Sequence, residues 1–183
     1  MPKGWVTSPE NDKLAGEAGY RIVEKNRGVE MVWVPGGEFT MCSDKGGFTD
    51  PNRPAHHVEM SGFCIGRTEV PVGQWRSVMG ELPAPLREKD YNDQGDDHPV
   101  VMVSWRDCYR FSKTIGLELP TDAQWEYAAA GPQVSVYPWG DEWDPAKAQC
   151  ARDLHGYERT APAGSIPEGA SWCGAMDLAG NVG

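Results

Sequence analysis

Five cysteines and four histidines are the side chains in this sequence with the strongest claim to nucleophilic, redox or metal chemistry. Cys42, Cys64, Cys108, Cys150 and Cys173 are scattered and never spaced as Cys-x-x-Cys. They form neither a zinc signature nor a disulfide framework, and a reducing compartment suits them. Cys173, between Trp172 and Gly174 in a loop, reads as the most reactive thiol, although no nearby Lys or Arg lowers its pKa to make it a nucleophile. Cys108 falls on the apolar face of an amphipathic stretch and reads as a small buried hydrophobe. His56 and His57 lie in a strand-like run, where adjacent side chains point to opposite faces, so the two are ill placed to share a metal. His98 precedes Pro99 and reads as a hydrogen-bonded turn residue. Asp90, Asp93, Asp96 and Asp97 alternate oxygens as calcium ligands do, but no EF-hand-type loop closed by glutamate surrounds them, and a solvated acidic loop is the better reading. Asp122 and Glu126 on a predicted helix suit a dipole cap and a structural hydrogen bond rather than an acid/base pair.

The elements that position these residues are legible from turn chemistry and periodicity. Val29 to Val34 is β-prone, Pro35-Gly36-Gly37 reads as a turn, and Glu38 to Met41 alternates, which predicts a hairpin. His57 to Met60, Ser61-Gly62 and Phe63 to Ile65 predict a second hairpin. A first helix is expected with Pro71 at its start, Val72, Trp75 and Met79 in phase, and Gly80 as its end. A second starts at Ser104 with Asp107 closing the cap, places Trp105, Cys108, Phe111 and Ile115 on one face, and stops at Gly116. A third opens on a Thr121/Gln124 capping box, lines one face with Trp125, Ala128 and Ala129, and ends at Gly131. Beyond Gly131 turn residues recur without periodicity, yet Trp139, Trp143 and Trp172 are too costly to leave in a solvated tail, so ordered irregular structure is expected. Residues 1–28 read as a leader segment, partly disordered, with one short strand at Tyr20 to Val23. The domain proper is expected over 29–183, and the class is α+β with little regular secondary structure.

Composition narrows the function classes. The chain has 183 residues, enough for one domain, with 22 Gly and 15 Pro that predict many turns. A formal net charge of -10 and no Lys/Arg run disfavour nucleic acid, whose binding rests on clustered cations. No window is long and apolar enough for a membrane span, and no export signal is visible, so a cytoplasmic address is expected; the chain is also expected to be a monomer. The 8 tryptophans invite a stacking platform, but most fall at core-facing spacing and read as packing residues.

Seven segments in order carry a resemblance. They are Val32 to Met41 (VWVPGGEFTM), Arg53 to Val58 with Ile65 to Val70, His98 to Val100 with Val103 to Trp105, Leu119 to Ala129 (LPTDAQWEYAA), Tyr137 to Glu142, Pro162 to Ser165, and Met176 to Val182 (MDLAGNV). This series resembles the formylglycine-generating-enzyme (sulfatase-modifying factor) family. The resemblance implies a C-type-lectin-like variant fold, incomplete at its C-terminus, because the family motif continues from Gly-Asn-Val into Trp-Glu-Trp. It implies a full-length parent that binds copper(I) through paired cysteines and uses oxygen to convert a cysteine of an unfolded sulfatase peptide into formylglycine. None of the five cysteines matches those copper positions, so no catalytic residue carries over and this chain is expected to be inactive alone.

The family's calcium sites carry over by motif. Asp177, Gly180 and Val182 match one site, the last two through carbonyls, with a completing glutamate expected past Gly183. Gln149, Cys150, His155 and Tyr157 match a second, with Cys150 and Tyr157 acting through carbonyls and His155 where the family has aspartate. Cys42 replaces a usual glycine and Pro71 a usual capping threonine. Ser112 and Ala129 replace cysteines of eukaryotic members, which points to a bacterial, disulfide-free member. Two other readings stay open: a non-catalytic lectin-like module binding protein or glycan, and the auxiliary domain of an iron-dependent sulfoxide synthase. A domain missing its last strands is also expected to be marginal or aggregation-prone.

Overall fold

The computed structural model describes residues 4–9, 13, 15–24, 27–43, 54–82, 95–150 and 159–182. Among the described residues six strands come first: β1 (Trp5–Thr7), β2 (Arg21–Glu24), β3 (Glu30–Val34), β4 (Gly37–Met41), β5 (His56–Met60) and β6 (Phe63–Gly66). The described helices that follow are α1 (Val72–Met79), α2 (Trp105–Thr114) and α3 (Asp122–Ala130), then short 3-10 turns at Pro145–Lys147 and Pro167–Gly169. One antiparallel sheet has the order β1-β2-β3-β6, and β4 pairs with β5 in a second.

The two expected hairpins do not form. β3 pairs with β6 and β4 with β5, so Val34 faces Phe63 and Gly37 faces Met60 in one continuing register. The four strands are a single long ribbon bent midway, and Pro35-Gly36 and Ser61-Gly62 are its two elbows rather than hairpin tips. Glycine is required where the elbows cross. A Cβ on Gly36 would lie 2.7 Å from the Met60 carbonyl oxygen, and one on Gly62 would lie 2.5 Å from the Trp33 ring. The connection that closes the ribbon runs through 42–55, of which only 42, 43, 54 and 55 are described.

The segment read as a leader contributes β1 and β2 to the sheet, so the packed unit begins before Val29. The reason is apolar area: Trp5 and Ile22 are buried with Val29, Met31, Trp75, Phe111 and Ile115 on one face of the sheet. On the other face Val32, Val34 and Ile65 pack with Phe39, Tyr127, Ala128, Cys173 and Ala175. The alternation of β3 thus feeds two cores, Met31 into one and its neighbour Val32 into the other.

Helix punctuation follows the sequence. Both expected capping boxes are present, Ser104 with Asp107 and Thr121 with Gln124, and α1 ends at Gly80 with φ 78°. Gly73 in α1 has its own reason, since a Cβ there would lie 3.0 Å from the Asp96 Cβ. The helix faces depart from expectation. Trp105 and Trp125 are exposed, at 71% and 47%, while Phe111 and Ser112 on α2 and Tyr127 on α3 are buried. Trp105 instead stacks on exposed Tyr109, with ring centroids 5.2 Å apart. Tyr127 takes the central place, 5.0 Å from Phe39 and 5.3 Å from Trp172 by ring centroids. The irregular C-terminal part is ordered by such contacts, as where Trp172 Nε1 donates to the Tyr127 carbonyl at 2.9 Å. Among the described residues no helix is long and apolar enough to cross a membrane.

Candidate functional site

The residues singled out for metal binding converge on the last described loop, whose backbone turns on two non-glycine residues in the left-handed region, Asp177 (φ 61°) and Asn181 (φ 72°). Asp and Asn tolerate that region better than most residues. Asn181 then acts as a hub. Its backbone N–H donates to the Gln149 carbonyl at 2.8 Å, and its Oδ1 accepts from the Ala161 N–H at 2.7 Å. Its Nδ2 donates to Glu69 Oε2 at 2.7 Å and to the Ala161 carbonyl at 3.2 Å. Backbone and side chain of this one residue thereby tie together the residues entering α1, the 159–164 segment and the loop at Gln149. Gly180 is close-packed in the same place, because a Cβ there would lie 2.3 Å from the Gln149 carbonyl oxygen. Asp177 Oδ2 accepts from the Gly164 N–H at 2.6 Å, which fixes the other end of the loop.

Burial dominates the electrostatics. The Glu69 carboxyl is pushed up to about 8, first by burial and then by the nearby Asp177 carboxylate, against the lowering effect of hydrogen bonds from Asn181 and Val182. Burial also raises Asp177, opposed by the Gly164 N–H and the Arg67 charge. Glu69 Oε1 and Gln149 Oε1 are buried with no hydrogen-bond partner among the described residues. At neutral pH Glu69 is therefore mostly protonated. The site is a buried, oxygen-rich seam in which burial disfavours the charged form of both carboxyls.

Residues 18–183 match the Sulfatase-modifying factor enzyme 1-like domain. The chain belongs to this sulfatase-modifying factor family. It is 34% identical over 137 residues to a formylglycine-generating enzyme of Mycobacterium tuberculosis, covering 66% of this chain and 45% of that protein. It is 31% identical over 168 residues to a hercynine oxygenase of Mycolicibacterium thermoresistibile, covering 73% of this chain and 37% of that protein. The chain thus spans less than half the length of these two relatives. Among solved structures, PvdO from Pseudomonas aeruginosa superposes with TM-score 0.70 at 24% identity, over 92% of this chain and 74% of that one. That likeness bears out the formylglycine-generating-enzyme fold expected from the sequence.

Within this sulfatase-modifying factor domain the predicted site residues are partly assembled. Asp177, Gly180 and Gln149 line one small cleft with Asn181, and Gly180 packs on Gln149. The two sets read separately from sequence are therefore neighbours. Val182 is exposed and Cys150 is half-buried, while His155 and Tyr157 lie outside the described residues. An all-oxygen donor set with a buried, unpartnered Gln149 Oε1 fits the chemistry of calcium. Among the described residues no group of three or more His, Cys, Asp or Glu is arranged to hold a metal, so a cation here would rest mostly on carbonyl and amide oxygens.

The other candidates resolve as structural. His57 Nε2 meets Glu38 Oε2 at 3.1 Å and His56 Nδ1 meets the Pro54 carbonyl at 3.0 Å, so the two rings have different partners. His98 is buried on Thr160 Oγ1 at 3.0 Å. Asp96 pairs with Arg76 at 2.5 Å, and Asp90 and Asp93 lie outside the described residues. Glu126 accepts from the Cys42 N–H at 2.7 Å, where Cys42 has φ 68° at the position usually held by glycine. Cys173 corrects the expectation of a reactive thiol: it is fully buried, contacts Ser171 Oγ at 3.3 Å, and burial pushes its thiol up. Glu69 and Asn181 are the residues that sequence reasoning passes over. Their roles arise from a contact 112 residues apart in sequence, and the signal available is only a polar residue inside each motif.

Proposed function

We propose that this chain forms the scaffold portion of a sulfatase-modifying factor domain whose full-length parent oxidises a cysteine of a sulfatase peptide to formylglycine. The match over residues 18–183 is the observation that carries this reading. Copper would supply oxygen activation when bound, and the residues here do not fit it. None of the five cysteines is in a disulfide, Cys173 is sealed in the core, and the described residues hold no cluster for a transition metal. No step of the oxidation is therefore assigned to these side chains. Incubating the full-length product with copper(I), oxygen and a Cys-x-Pro-x-Arg peptide should yield a peptide mass corresponding to formylglycine, and unchanged peptide would count against the reading.

The similarity to hercynine oxygenase favours one rival, an auxiliary domain of an iron-dependent sulfoxide synthase. Oxygen-dependent sulfoxide formation by the full-length product, with no formylglycine from the peptide, would establish it.

Calcium is proposed as a resident ion of the scaffold, held by Asp177 and by carbonyls of Gly180 and Val182, with Gln149 and Cys150 at the neighbouring set. When bound it would supply positive charge to this buried oxygen-rich seam and stabilise the loop that carries Asp177 and Gly180. Calcium is expected to raise the melting temperature by several degrees over the same protein in chelator, by preferential binding to the folded state. Identical melting curves with calcium and with chelator would exclude calcium as a resident ion.

A further inference from the structure

A cleft of about 460 Å³ enters the core between the larger sheet, α1 and α2. Met31 on β3, Trp75 on α1, and Cys108, Phe111 and Ile115 on α2 stand around it. Protein interiors are close-packed, with few voids larger than a water molecule, so an opening of this size is not ordinary core packing. Most of the remaining wall is apolar too, with Val29, Val70, Val100, Val103, Leu117 and Leu119 among the lining residues. Trp75 and Phe111 form a stacked pair in the wall, with ring centroids 5.1 Å apart and planes 9° apart. Gly28 and Glu118 are the exposed residues of the lining, so the cleft opens between the turn before β3 and the segment after α2.

The polar groups of the wall already have partners within the protein. Thr68 Oγ1 donates to the Glu69 carbonyl and Ser112 Oγ to the Tyr109 carbonyl, both at 2.9 Å. Gln74 Nε2 donates to the Arg27 carbonyl at 3.4 Å. The charges are compensated as well, because Arg67 pairs with Glu30 at 3.0 Å and Glu118 pairs with Lys113. Burial, and then the Asp107 carboxylate, raise the Cys108 thiol, which leaves this wall residue neutral. We infer that the cleft is a binding site for a small, uncharged and predominantly apolar molecule. A charged ligand would give up its hydration without meeting a free counter-charge, whereas an apolar one gains by leaving water. The volume falls within the roughly 300–1,000 Å³ of small-molecule sites, which are likewise mostly apolar.

The test is an amide-shift titration of the whole chain with toluene and, separately, with benzoate, which has nearly the same shape and carries a negative charge. Toluene should give saturable shifts at the lining residues Met31, Thr68, Gln74 and Val103. Benzoate should bind at least about tenfold more weakly, the scale set by an uncompensated loss of hydration. Val103→Phe places a ring in the cleft and should abolish the toluene shifts. Because overpacking can prevent folding, Cys108→Leu fills the same space more gently and should weaken toluene at least about fivefold. The site is overturned by an absence of saturable shifts, by shifts confined elsewhere, by benzoate binding as tightly as toluene, or by toluene binding that the folded variants leave unchanged. Shifts at the same residues on concentrating the chain without toluene would assign the cleft to a second copy, and would overturn it too.

Discussion

Asn181→Ala is expected to cost the domain about 3–5 kcal/mol, because it removes several interactions at once. The side chain accepts from Ala161 N–H and donates to Glu69 and to the Ala161 carbonyl. Each lost hydrogen bond is worth about 1 kcal/mol, and leaving buried partners unsatisfied adds about 1–3 kcal/mol. Alanine at φ 72° adds roughly 1–2 kcal/mol of backbone strain. Asn181→Gly relieves the strain without restoring the bonds and should recover only that smaller part. Urea denaturation monitored by tryptophan fluorescence measures the difference. A loss under about 1 kcal/mol for Asn181→Ala would mean that the loop frays at no cost and that Asn181 is not a hub.

The second large effect is on pH dependence. Glu69 has its carboxyl raised from 4.5 to about 8 in the folded protein, chiefly by burial. The folded state then binds the Glu69 proton more tightly than the unfolded state. Its contribution to stability is fully present below the unfolded value and is lost as pH rises through the folded value. Between about pH 5 and pH 8 in chelator the domain should lose about 3 kcal/mol from this group, since a tenfold difference in proton affinity between the two states is worth about 1.4 kcal/mol. Glu69→Gln keeps an acceptor for Asn181 Nδ2 and stays neutral throughout. Its stability should be nearly flat over this range and exceed wild type at pH 8. A Glu69→Gln variant that loses stability with rising pH as steeply as wild type would show that another group is responsible.

Local chemistry is readable wherever it is decided within a few residues. The two capping boxes and the Gly80 stop stand where Ser104, Thr121 and Gly80 predict them. The ribbon is not legible in this way, because Pro35-Gly36 and Ser61-Gly62 are locally as good as hairpin turns, while the true pairing depends on a register running from Met31/Gly66 to Met41/His56. Helical phase likewise identifies α2 but not its buried edge. Trp105 falls at the first residue of the helix, beside the capping box, and stays exposed against Tyr109 while Phe111 and Ile115 enter the core. Cys173 reads as reactive because its flanking residues signal a loop, and nothing local shows that the loop folds over Val32 and Ala128. The candidate site is half visible in the sequence. Asp177, Gly180 and Gln149 follow from motif alone, whereas Glu69 and Asn181 become functional candidates only through contacts across the whole domain.

The proposed scaffold reading assigns no oxidising centre to these residues. Copper(I) titration of the 183-residue chain against a competing chelator, followed by the peptide assay on the same sample, tests this most directly. No tight one-to-one copper(I) complex and no formylglycine are expected. A stoichiometric complex abolished by replacing any of the five cysteines, together with peptide conversion, would contradict the scaffold reading.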